Sequence, residues 1–126
     1  MKIDHLTLLV SSLERSMPYY ENLLPLLGFL KKRDHVWSNS SGFFLQFGEA
    51  AAGSRSYERY GAGMNHIGFA AETPLQIHAI RESMLSAGFD APEIQNLGGA
   101  VALFMKDPDG MRFEITSNPP GADPVD

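Results

Sequence analysis

Apolar and polar positions run through the same order twice along this chain: a short strand-like run, a stretch spaced every three or four residues, then further short runs. His5-Leu-Thr-Leu-Leu-Val opens the first half and His66-Ile-Gly-Phe-Ala-Ala opens the second, and both predict β-strands led by a histidine. Leu13, Met17, Tyr20, Leu24 and Leu27 then recur at helical spacing. Ile77, Ile80 and Met84, with the flanking Leu85, do the same, so each half should pack one amphipathic helix on a sheet. Each helix has a start signal. Ser11 and Glu14 have capping-box spacing, while Thr73, Pro74 and Gln76 combine an N-cap, a proline at the first helical position and a second box. Each also has a stop, Gly28-Phe29 and Gly88-Phe89, where glycine can take the left-handed conformation that closes a helix. His66 follows His5 by 61 residues and Gly88 follows Gly28 by 60, so strand, helix and stop repeat together. Pro18, inside the first helix, removes one backbone hydrogen bond and predicts a local kink.

Further strand-like runs follow each helix: Leu30 to Trp37 and Phe43 to Phe47, then roughly Glu93 to Leu97, Val101 to Met105 and Met111 to Thr116. The Asp107-Pro-Asp-Gly110 stretch between the last two is hairpin chemistry, with proline fixing one dihedral and glycine free to adopt positive φ. The expected organisation is a single domain over 1–126: module one at 1–48, a linker at 49–63 without either periodicity, module two at 64–117 and a frayed tail at 118–126.

Alternate side chains of a strand face opposite sides, and this rule assigns the candidate chemistry. Leu6, Leu8 and Val10 form one phase, Ile67 and Phe69 another, Phe43, Leu45 and Phe47 a third, and Met111, Phe113 and Ile115 a fourth. His5, His66, Gln46 and Glu114 occupy the opposite phase in every case. All four should point away from the helix-packed core and, if the sheet curls, into its hollow. Two imidazoles and a carboxylate placed there need compensation, since an unpaired buried charge costs several kcal/mol. One divalent ion, Zn, Ni, Mn or Fe(II), offsets that cost and uses His5, His66 and Glu114 together.

Composition narrows the picture. Apolar residues make up 44% and charged residues 20%, as in an ordinary globular domain. Ten basic against fifteen acidic residues give a net charge of −5, and the longest basic run is Lys31-Lys32-Arg33, which argues against a nucleic-acid partner. The absence of cysteine removes disulfides, thiolate metal sites and cysteine nucleophiles. The stretch Leu23 to Leu30 is too short, and too interrupted by Pro25 and Gly28, to span a bilayer; cytoplasmic is the default location. Gly61-Ala-Gly63 and Gly98-Gly99 lack the context of a phosphate loop, no serine lies in a nucleophile elbow, and His35 and His78 read as surface residues.

The paired strand-histidine-helix-glycine units, Asn65-His66-Ile67-Gly68-Phe69, and Asp107-Pro-Asp-Gly110-Met-Arg-Phe-Glu114-Ile resemble the vicinal oxygen chelate superfamily, which contains glyoxalase I, bleomycin-resistance proteins and extradiol dioxygenases. That resemblance implies an α+β fold in which two βαβββ modules form a curled, cup-shaped mixed sheet with helices outside. It implies metal ligation by His5, His66 and Glu114. Gln46 takes the place of a fourth ligand, where bacterial glyoxalase I has a glutamate. Ligating glutamates also act as bases in the family, so Glu114 is the catalytic candidate, because glutamine can ligate but cannot take up a proton near neutral pH. Arg112, two residues earlier on the same strand, could hold an anionic substrate group. The implied function is a metal-dependent, lactoylglutathione-lyase-like isomerisation of a small thiol-linked or dicarbonyl substrate, in a homodimer. The alternatives are an extradiol Fe(II) dioxygenase and a metal-free ligand-sequestering protein.

Overall fold

The computed structural model describes residues 1–122 and divides into two compact units, Met1–Tyr57 and a second that begins at Glu58. The first unit runs β1 (His5–Val10), α1 (Leu13–Leu26), β2 (Leu30–Arg33), β3 (Val36–Ser38) and β4 (Phe44–Glu49). Its sheet has the order β1-β4-β3-β2, with β1 parallel to β4 and the other pairs antiparallel. The second unit runs β5 (His66–Ala70), α2 (Pro74–Ser86), β6 (Gln95–Leu97), β7 (Ala100–Lys106) and β8 (Arg112–Ser117). Its order, β5-β8-β7-β6, and its one parallel pair, β5 with β8, repeat the first. Each unit is therefore a βαβββ module with a mixed four-stranded sheet, the α+β architecture that the family resemblance implies. No helix or strand occupies 50–65. Residues 123–126 of the predicted tail lie outside the described residues, and no described helix is long and apolar enough to cross a membrane.

Both helices close as the glycines predict. Gly28 and Gly88 have φ of 89° and 90°, and the amides of Phe29 and Phe89 return to the carbonyls of Leu24 and Met84 at 3.0 Å, the 6→1 bond of a Schellman motif. The start of α1 differs from expectation. Its N-cap is Ser12, not Ser11: Ser12 Oγ accepts from the Arg15 amide at 3.2 Å, and Glu49 at the end of β4 accepts from the Leu13 amide at 3.0 Å. Glu14 is thus displaced from the box position, and a carboxylate distant in sequence supplies the second cap. Thr73 caps α2 as predicted, accepting from the Gln76 amide, while Gln76 reaches back to the amide of Glu72 at 3.0 Å. Helix α1 runs on through Pro18 and Pro25.

The predicted single strand from Leu30 to Trp37 is two strands. A turn at Asp34-His35 separates them, with His35 in the left-handed region at φ 66°, and β2 folds back on β3. The sequence carries neither glycine nor asparagine there to mark it. In unit one Tyr20, Leu23 and Leu24 of α1 are buried with Leu45 and Phe47 of β4; in unit two Ile77, Ile80 and Met84 of α2 are buried with Leu103, Met105, Phe113 and Ile115. Leu85 is 42% exposed and does not join that core. Each fully buried side chain of this size contributes roughly 1.5–3 kcal/mol, so these layers hold one face of each sheet against its helix and leave the other face for polar residues.

The hairpin joining β7 to β8 sets where Glu114 stands. Asp107 is buried, and its Oδ1 accepts from the amides of Asp109 (2.9 Å) and Met111 (2.8 Å), while Gly110 takes φ 86°. Replacing Asp107 with Ala leaves buried amides unsatisfied. We expect a loss of about 2–3 kcal/mol in denaturant-induced unfolding, and about 1 kcal/mol for Gly110→Ala; an unchanged midpoint for Asp107→Ala would show that the turn does not fix the register of β8.

Candidate metal and substrate site

In β8, Phe113 and Ile115 lie on the helix side, which leaves Arg112, Glu114 and Thr116 on the other face. Parallel pairing sets His66 opposite Arg112 and Gly68 opposite Glu114, so His66 and Glu114 are diagonal neighbours on one face. Their side chains meet: His66 Nε2 is 3.1 Å from Glu114 Oε2. Gly68 between them has nothing within 4 Å of a Cβ position, which keeps the diagonal clear. Glu114 is only 6% exposed, and its other oxygen accepts from Thr116 Oγ1 at 2.9 Å.

The tautomer of His66 follows from its neighbours. Asn65 Nδ2 donates to the backbone carbonyl of Arg59 at 3.0 Å, so its Oδ1 is the atom that faces His66 Nδ1 at 2.7 Å and must accept from it. With the proton of a neutral ring on Nδ1, Nε2 presents a lone pair to a carboxylate oxygen. At 3.1 Å the two atoms can hold a proton between them, as an imidazolium–carboxylate pair, or a cation. Donors held ~2.0–2.2 Å from one divalent ion at adjacent positions are about 3 Å apart, so this pair has the chemistry and spacing of two metal ligands.

Unit one repeats the arrangement with different residues. His5 stands opposite Phe44 and Thr7 opposite Gln46, so His5 and Gln46 share the diagonal that His66 and Glu114 occupy in unit two. His5 Nδ1 lies 2.6 Å from Asp4 Oδ2, the counterpart of the bond from Asn65 to His66. Gln46 Nε2 donates to Thr7 Oγ1 at 2.8 Å, which turns its carbonyl oxygen away as the free acceptor. The structure thus brings together His66, Glu114 and Arg112 in the second unit, and places His5 and Gln46 on one face of the first. Within either unit, among the described residues, no three His, Asp or Glu side chains gather as a metal site. His35 ends the β2–β3 turn and His78 is exposed on α2.

A cavity of about 620 Å³ opens over the unit-two face, lined by His66, Glu114, Arg112, Phe104, Gln95 and Arg59 among others. Arg59 is absent from the sequence-based candidates because its segment lacks periodicity. Asp4 and Asn65 are absent too. The signal for these two was present, an acceptor side chain immediately before each of the two repeated histidines. If Asn65 sets the ring, a long-range 1H–15N spectrum of the metal-free protein should show neutral His66 protonated on Nδ1, and Asn65→Leu should shift the population toward Nε2–H. An unaltered tautomer in that variant would remove Asn65 from the site.

Known proteins place this geometry in context. A Bacillus subtilis protein of uncharacterized function, YqjT, is 29% identical, with 91% of this chain and 98% of that protein covered. The lactoylglutathione lyase GLX1 of Arabidopsis thaliana is 27% identical over 95% of this chain but 45% of its own length, so the chain spans about half of that relative. Among solved structures, a glyoxylase/bleomycin resistance protein/dioxygenase domain from Frankia sp. EAN1pec has a TM-score of 0.75 at 20% identity, with 94% of this chain and 98% of that one covered, a likeness of fold. The model of the Glyoxalase/Bleomycin resistance protein/Dioxygenase superfamily matches residues 2–115, and with both βαβββ modules in that span the chain belongs to this superfamily, the vicinal oxygen chelate proteins.

Proposed function

We propose that this protein is a metal-dependent isomerase of the lactoylglutathione-lyase type, acting on a small thiol-linked or dicarbonyl substrate. The observation that carries the reading is the facing pair of His66 Nε2 and Glu114 Oε2, 3.1 Å apart in a cavity of substrate size. His5 is the third ligand and Gln46, through its carbonyl oxygen, a fourth. The proposed assembly brings the first-unit face to the second-unit face, within one chain or between the chains of a homodimer. The outer strands of each sheet pair along one edge within their own sheet, and a second copy could cover the other edge, which supports dimerisation; sedimentation that gives only monomer at micromolar concentration contradicts this part.

Bound there, a divalent ion of Zn, Ni, Mn or Fe(II) supplies Lewis acidity to an adjacent substrate carbonyl. The chain does the rest. Glu114 is the single carboxylate among the candidate ligands, and it takes the proton from the carbon next to that carbonyl and delivers it to the neighbouring carbon, which is a net isomerisation. Thr116 fixes Glu114 Oε1, and burial behind β7 keeps bulk water from intercepting the proton. Gln46 cannot share this task.

An extradiol dioxygenase is the second reading. It is favoured by the bond from Gln46 to Thr7, which suits an amide standing beside a three-ligand Fe(II) site.

His66→Ala should abolish stoichiometric metal while the fold survives in circular dichroism. Glu114→Gln should keep metal and lose about 10²–10⁴-fold in isomerisation of methylglyoxal hemithioacetals, the range that general-base removal gives. A variant that binds metal and turns over at the wild-type rate would refute the base role; turnover of catechols under oxygen, with none of hemithioacetals, would select the second reading.

A further inference from the structure

Arg59 and Arg112 line the same cavity as His66 and Glu114, and neither is used by the chemistry above. The Nε of each is buried without a hydrogen-bond partner among the described residues. A buried guanidinium N–H left unpaired costs free energy, so two in one cavity call for an acceptor that arrives from outside. The one carboxylate in the cavity wall, Glu114, accepts from Thr116 with one oxygen and faces His66 with the other. The charged residues lining the cavity are two arginines against one carboxylate, a positive balance inside a chain of net charge −5.

Both guanidinium groups are braced for this task. Arg112 Cζ sits 4.3 Å from the centroid of Phe104, which faces Glu114 across the β7–β8 pair, so stacking holds the guanidinium in the cavity wall. Arg59 Cζ lies 4.9 Å from the centroid of Tyr60, and the Arg59 carbonyl is tied to Asn65, the residue that orients His66. The segment carrying Arg59 is therefore anchored to the metal-ligand strand.

We propose that Arg59 and Arg112 form an anion clamp and that the substrate of this cavity carries an anionic oxygen group, a carboxylate or a phosphonate, near its reacting end. Arg112 precedes Glu114 by two residues on one strand face, a separation of roughly 7 Å between backbone positions, so the anion and the reacting carbon belong to one small molecule. This rests on the cavity being the substrate site.

The test uses the full chain freed of metal by chelator, so that its outcome is independent of metal loading and turnover. Methylphosphonate and acetate are titrated by calorimetry, with acetamide as the neutral control. Saturable binding of either anion is expected, with acetamide silent, and a loss of about tenfold or more in both Arg59→Gln and Arg112→Gln; the tighter anion identifies the group. Arg112→Lys, which keeps the charge but not the planar fork, should fall between wild type and Gln and serves if Arg112→Gln fails to fold. Absence of saturable binding by either anion, unchanged affinity in the variants, or a loss confined to one arginine overturns the clamp. Anion binding in a protein that takes up no metal would leave the clamp standing and remove the isomerase reading.

Discussion

The contact between His66 and Glu114 is the constraint on which the second unit turns. A carboxylate that is 6% exposed faces Nε2 of an imidazole whose Nδ1–H is held by Asn65. Burial of the pair is a cost unless a proton or a cation stands between the two groups. Much else holds the two strands in place. Phe113 and Ile115 lock β8 against α2, and the Asp107 turn sets where β8 begins.

The same diagonal appears in both units, and the differences between them divide the labour. Parallel pairing of first and last strands makes His5 and Gln46 the counterparts of His66 and Glu114. Each histidine has an acceptor directly before it, but Asp4 is exposed whereas Asn65 is held by the Arg59 carbonyl. One unit thus offers neutral donors, and the other offers the carboxylate, its threonine brace and two arginines. In the proposed reading, proton transfer and anion recognition fall to the second unit, while the first contributes ligation.

Much of this was legible in the sequence because periodicity reports directly on which face a strand residue occupies. The alternation around His5, Gln46, His66 and Glu114 predicted a shared phase, and the strand registers agree with it within each unit. The Gly-Phe stops were readable because only a left-handed residue closes a helix in this way. What escaped depends on contacts distant in sequence or on residues without periodicity. Glu49 caps α1 across 36 residues, and no local pattern could reveal that. The Asp34-His35 turn lacks the residue types that usually mark positive φ. Arg59 lies in a segment with neither period, so its position in the cavity wall becomes visible only when the Asn65 bond ties that segment to β5.

The proposed ion has both His5 and His66 as ligands. Cobalt(II)-loaded protein offers the most direct measurement, since an imidazole bound through Nε2 shows its Nδ1–H as a hyperfine-shifted exchangeable proton, slowed in exchange where that proton is hydrogen-bonded. The account predicts two such signals, one lost in His5→Ala and the other in His66→Ala, from a single cobalt per site. One signal, belonging to His66 alone, or none, would contradict it.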